Sequence, residues 1–161
     1  MPGGRQIVIL THARQGLGGH AMLERLWREH WQPAGLSVQV QQGLAKPPPA
    51  DLALLHVDLT VTPPEYLTLA DRYPRCLNRA VTDISKRRIS QRRVPPNFDV
   101  PPALRRRRAE LGFDFGKFDY VVQDGEPVLL DANRTPAIDE IGGERARLLA
   151  PGIHDFLPGR V

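Results

Sequence analysis

Asp119, Asp131 and Asn133 carry the most pointed chemistry in the chain, inside the stretch DYVVQDGEPVLLDANRTP that runs from residue 119 to 136. Two carboxylates and an amide oxygen, with no histidine or thiol among them, make a donor set for a hard cation. Mg2+ takes oxygen ligands at about 2.0–2.1 Å and keeps water or phosphate oxygens in the rest of its shell. A plainer reading stands beside this one: Asp131 and Asn133 end a strand and cap the turn that follows.

Whether the three residues meet depends on register. Alternating apolar residues on both sides of Asp124-Gly125 predict a β-hairpin, and a slip of one residue moves every side chain to the other face. With a two-residue loop at Asp124-Gly125, Asp119 pairs with Leu130 and Asp131 lies on the opposite face, so no shared site forms. With a three-residue loop, Gln123-Asp124-Gly125, Phe118 pairs with Leu130, Tyr120 with Val128 and Val122 with Glu126. One face is then almost wholly apolar, and the other carries Asp119, Val121, Leu129, Asp131 and Asn133. The second register separates apolar from polar residues better and is the expected one.

Other candidates are weaker in pattern. The segment from Lys86 to Arg108 holds nine basic residues and one acid, Asp99, in a chain of net charge +4, so the basicity is a local band. Such a band suits an anionic ligand, a nucleic-acid contact or a solvated helix face. Four consecutive arginines, 105 to 108, point around a helix rather than at one ligand, and few aromatics lie nearby to stack bases, so nucleic acid is the less favoured partner. Arg134 could clamp a phosphate or carboxylate through two parallel hydrogen bonds, or simply face solvent after a strand. The glycine turn GLGGH, with His12 before it and His20 at its end, lacks the full dinucleotide fingerprint and reads as a structural turn. Asp58, at a strand end, is either a substrate contact or a helix cap.

The elements that must position these residues alternate in type. RQIVIL is a short buried strand. HAMLERLWREHW places Met22, Leu23, Leu26, Trp27 and His30 near one helical face. LSVQVQQ alternates like a half-buried strand, and DLALLHV is a continuous apolar run suited to a central parallel strand. Thr62 as cap, Pro63 at the first helical position and Glu65 closing a capping box predict the helix PEYLTLADRY, and TDISKRRIS predicts a second capped helix. The proline-rich VPPNFDVPP, residues 94–102, interrupts the pattern as a seam. A helix over ALRRRRAEL, the hairpin and a helix near GERARLLA follow. The expected fold is α/β, with an N-terminal Rossmann-like parallel sheet over residues 1–93 joined through the seam to a smaller C-terminal lobe over 103–161.

At 161 residues the chain can bury roughly 68–70% of the surface its unfolded form exposes, enough for a core without disulfides or structural metal. The one cysteine, Cys76, excludes an internal disulfide framework. The only uninterrupted apolar run near the N-terminus, Ile7 to Leu10, is far short of a signal sequence or a membrane span. A soluble, cytoplasmic protein with no membrane partner is expected.

The stretch LGFDFGKFDYVVQDGEPVLLDANRTPA resembles the C-terminal metal-binding hairpin of the ATP-grasp superfamily, enzymes that activate a carboxylate as an acyl phosphate with Mg·ATP. The resemblance implies that Asp119, Asp131 and Asn133 hold the Mg2+ bridging the ATP phosphates. The second acid is more often glutamate in that pattern, and a glycine often follows the proline where this chain has Ala137. HVDLTVTPPEYLTLADRYPRCLNRAVTDISKRRIS resembles the end of the preceding α/β (pre-ATP-grasp) domain, where a lysine in a DxxK-like segment touches ATP phosphates; Lys86 is the match. The resemblance covers both ends of an ATP-grasp chain and omits the central lobe, which supplies a second phosphate-binding lysine, a covering glycine-rich loop and the adenine cleft. The remaining lysines, Lys46 and Lys117, match no such context. It therefore implies a ligase-like protein that binds Mg2+ and ATP but is catalytically weak alone or dependent on a partner. The alternative is a noncatalytic remnant that pairs with itself or with a full-length relative.

Overall fold

Ile7 to Leu10 and Leu52 to Leu55 are apolar at every position, as strands covered on both faces must be. They form the centre of the sheet. The computed structural model describes residues 4–15, 21–84, 100–134 and 142–157. In it β1 (Gln6–Thr11), β2 (Ser37–Gln42), β3 (Leu52–Leu55) and β4 (Cys76–Leu77) build one parallel sheet in the order β2-β1-β3-β4. β1 pairs on both edges, Ile7 opposite Val38 on one side and Leu52 on the other. The α/β expectation with a parallel sheet is met, and β2, on the edge, alternates in exposure as its sequence alternates.

Because side chains alternate across a strand, the sheet feeds two cores. Ile7, Ile9, Leu52 and Leu54 meet Met22, Leu23 and Leu26 of α1 (Ala21–Leu26). Val8, Leu10, Ala53 and Leu55 meet Tyr66, Leu69 and Ala70 of α2 (Pro64–Ala70) on the other side. The buried helical stripe differs from the expected one. After Leu26 the backbone widens into a π-helical turn over Trp27–Trp31, with the Gln32 amide donating to the Trp27 carbonyl five residues back. The extra residue shifts the phase, so Trp31 is buried while Trp27 is only partly covered.

Two caps also differ from expectation. α2 begins at Pro64 with Pro63 as its N-cap, and no side chain caps it. The Thr62 hydroxyl is directed instead to the Val81 carbonyl, 3.1 Å away. Thr82 to Ile84, expected to open a helix, lie extended against residues 60–62 through bonds from Thr62 N to Thr82 O and from Ile84 N to Thr60 O. The rest of that segment lies outside the described residues.

The C-terminal unit packs α3 (Pro102–Leu111) onto a hairpin of β5 (Lys117–Gln123) and β6 (Glu126–Asn133). Leu104, Leu111 and Phe113 meet Leu129, Ala132 and Val81. α3 starts with a proline at its first position, where the missing N–H is not needed. It stops at Gly112, whose φ of 72° suits a residue without Cβ; a Cβ there would sit 2.5 Å from that of Ala80. α4 (Gly142–Leu149) and the 3-10 turn Ala150–Asp155, assigned from sequence to the C-terminal lobe, return to the first sheet. Ala146, Ala150 and Ile153 join the core beside α1, and the Trp31 indole donates to the Ala150 carbonyl at 3.1 Å. The expected lobe boundary is thus crossed by the chain's last helix. Among the described residues no helix is long and apolar enough to cross a membrane.

Candidate metal and phosphate site

The hairpin turns on Asp124-Gly125 alone, with Gln123 paired to Glu126. Both turn residues have positive φ, 53° and 80°, the two-residue geometry whose twist matches that of the strands. The expected three-residue loop is therefore corrected: Asp-Gly satisfies the turn without help from Gln123. Yet Asp131 does not end up on the face opposite Asp119. A bulge interrupts the ladder between Tyr120↔Leu129 and Asp119↔Asp131, leaving Leu130 as the surplus residue. Leu129, expected on the polar face, is buried, and Leu130, expected in the core, is 43% exposed.

The bulge restores the grouping that the loop alone would have destroyed. Asp119 lies directly opposite Asp131, and Lys117 opposite Asn133. Directly opposed residues in an antiparallel pair have Cβ atoms about 4.5–5.5 Å apart, so the two carboxylates and the Asn133 amide share one face. Phe118, Tyr120 and Ala132 face the other way, into the core with α3. The structure brings together three of the candidate residues and adds one that the sequence reading set aside: the Lys117 ammonium lies 2.9 Å from Asp119 Oδ1. Period-two spacing from Asp119 was the available signal for Lys117. Both side chains are about half exposed, so their pairing is weak and exchangeable.

Among the described residues no group of three or more histidine, cysteine, aspartate or glutamate side chains forms a closed metal cage. The hairpin set is two carboxylates and an amide on an open face, which fits a cation that keeps part of its shell as water or phosphate oxygen.

Arg134, one residue past Asn133, is buried to 1% exposure. Its Nη1 donates to the Val81 carbonyl at 2.8 Å and to the Thr62 hydroxyl, and its Nη2 donates to the Leu59 carbonyl. Burial pushes its pKa down to about 10, opposed by the carboxylates of Asp58 and Asp83, so the guanidinium stays charged at neutral pH. Arg134 thus ties the end of β6 to the loop after β3, and both terminal nitrogens are engaged by the protein. The solvent-facing alternative is therefore corrected, and a phosphate or carboxylate clamp would require those bonds to be released.

A second tie was missed in the sequence. Asn78, fully buried and in the left-handed region at φ 58°, accepts from the amides of Asp114 and Phe115 at 2.9 Å through Oδ1 and donates to the Phe115 carbonyl at 2.8 Å. Its own amide donates to Asp114 Oδ2 at 2.7 Å. Asparagine tolerates this backbone region, but its partners are 36 and 37 residues away, beyond local pattern reading.

At the carboxyl ends of β1 and β3, the Gln15 side chain accepts from the amides of His12 at 3.1 Å and Asp58 at 2.9 Å. This holds the two loops together at the point where the strand order reverses. Lys86, the glycine turn from Gly16 and His20 lie outside the described residues. The arginine run diverges as expected: Arg107 pairs with Glu110 at 2.9 Å, Arg105 Nε donates to the Val100 carbonyl and Arg108 Nε to that of Phe113. No protein-family model, curated protein or solved structure matches the chain.

Proposed function

We propose that this protein binds a Mg2+–nucleoside triphosphate on the polar face of the hairpin, in the manner of an ATP-grasp protein reduced to its two ends. The observation that carries the reading is the bulge at Leu130, which sets Asp131 opposite Asp119 and Asn133 on the same face. Asp119, Asp131 and Asn133 hold the cation, while Lys86 and Lys117 meet phosphate oxygens. When bound, Mg2+ supplies charge neutralisation and orientation of the phosphates. The chain's own residues position that load: the anchored Arg134 fixes the backbone beside Asn133, and the core face of the hairpin fixes Asp119 against Asp131. Activation of a carboxylate as an acyl phosphate also needs a covering lobe that excludes water, so catalysis in this reading depends on a partner. The setting proposed is cytoplasmic, with Cys76 a free thiol.

The reading is tested by manganese titration followed by electron spin resonance, Mn2+ standing in for Mg2+. One ion per chain is expected, bound at least tenfold more weakly by Asp131→Asn. Equal binding by the variant would remove the hairpin from the account.

A second, noncatalytic reading is favoured by the hairpin's edges. Among the described residues β5 and β6 form a sheet of only two strands, and each leaves one edge unpaired. Self-association through such an edge would appear as a dimer in light scattering; a monomer at high concentration would argue against it.

A further inference from the structure

On the side of the hairpin away from the carboxylates lies a cavity of about 600 Å3, within the range of about 300–1,000 Å3 that takes small organic ligands. Four aromatic residues line it, Phe113, Phe115, Phe118 and Tyr120, beside the aliphatic Val100, Leu104 and Leu149. Phe113 and Phe118 meet edge to face at 5.0 Å, which fixes the wall's shape. Two arginines of α3, Arg105 and Arg108, join this apolar lining.

Arg108 also lines a second cavity of about 240 Å3 that reaches Trp31 and Leu54 over the parallel sheet, and Phe115 and Leu149 belong to both. The bond from Arg108 Nε to the Phe113 carbonyl, 2.7 Å, holds the guanidinium at this junction. Its two terminal nitrogens have no partner among the described residues. Two acids share the combined lining: Asp114, which borders both cavities, directs Oδ2 to the Asn78 amide, and Asp155 borders the smaller cavity alone. An apolar chamber with a fixed guanidinium at its junction is complementary to a ring-bearing organic anion.

We propose that this cavity is a binding site for an aromatic carboxylate, sulfonate or phosphate monoester, its ring among the phenylalanines and its anionic group on Arg108. The site is separate from the cation face, because Asp119, Asp131 and Asn133 take no part in its lining.

Two fluorescent probes of similar shape test it: anilinonaphthalene sulfonate, an anion, and phenylnaphthylamine, its neutral counterpart. Both should bind the wild-type chain saturably at one site. Arg108→Gln should weaken the sulfonate about tenfold or more, as loss of a charge-assisted hydrogen bond implies, and leave the neutral probe within about twofold. Leu149→Trp, at a position 47% exposed and therefore tolerant of a larger side chain, should fill the junction and weaken both. Thermal unfolding of each variant confirms that it is folded. Absence of saturable binding, equal sulfonate affinity in Arg108→Gln, or unchanged binding of both probes in Leu149→Trp would overturn the proposal.

Discussion

Replacing Arg134 by methionine keeps most of the buried stem and removes the guanidinium. Three acceptors then lose a donor: the carbonyls of Leu59 and Val81 and the hydroxyl of Thr62. Val81 keeps the Thr62 hydroxyl at 3.1 Å, so the Leu59 carbonyl bears the main loss. A buried acceptor left bare costs about 1–3 kcal/mol, and each hydrogen bond from a charged donor is worth about 1.5–3 kcal/mol net. Against this stands the relief of a buried charge, evident in the depressed pKa of Arg134. The balance is a destabilisation of about 3 kcal/mol, or a fall in Tm of roughly 6–12 °C for a chain of this size. Urea unfolding measures the loss directly, through a lower midpoint at constant slope. Hydrogen exchange should show β5 and β6 opening more than β1 and β3, because the lost bonds tie the hairpin to the sheet's loop. A loss below about 1 kcal/mol, or uniform loss of protection, would refute the view of Arg134 as the tether.

Asn78→Ala should cost about 3–4 kcal/mol, since the amides of Asp114 and Phe115 lose their acceptor and alanine resists the positive φ. Asn78→Gly should recover about 1 kcal/mol of that in the same denaturation assay. Burial pushes the Cys76 thiol up to about 12 from an ordinary value of 9.0. Between those values the native state binds the proton that the unfolded chain has released, so stability falls as pH rises above about 9. By about pH 10 the loss should reach roughly 1 kcal/mol, and Cys76→Ala should flatten it. At neutral pH the native thiol should react with a disulfide reagent far more slowly than the unfolded one.

The parallel sheet was legible because β1 and β3 are apolar throughout and β2 alternates, patterns set by how many faces a strand buries. The hairpin was legible from Asp124-Gly125. Its register was not: a three-residue loop sets Asp131 diagonal to Asp119 and Leu129 opposite it, whereas the two-residue loop followed by a bulge sets Asp131 directly opposite, and both leave the two carboxylates on one face. Only the bulge sends Leu130 outward and Leu129 inward. The wide turn after Leu26 escaped for a similar reason, since one inserted residue shifts the helical stripe without changing composition. Arg134, Thr62 and Asn78 look like surface residues locally, and their burial follows from carbonyls and amides brought to them by distant parts of the chain.

The most direct test of the hairpin as a nucleotide site is thermal unfolding with and without Mg·ATP, run on the wild-type chain and on an Asp131→Ala, Asn133→Ala double variant. Ligand at about 100 times its Kd adds about 2.7 kcal/mol to stability, a rise in Tm of roughly 5–10 °C for a chain of this size. The account predicts a rise that requires both magnesium and nucleotide and is absent in the double variant. No rise at millimolar Mg·ATP, or an equal rise in the variant, would contradict it.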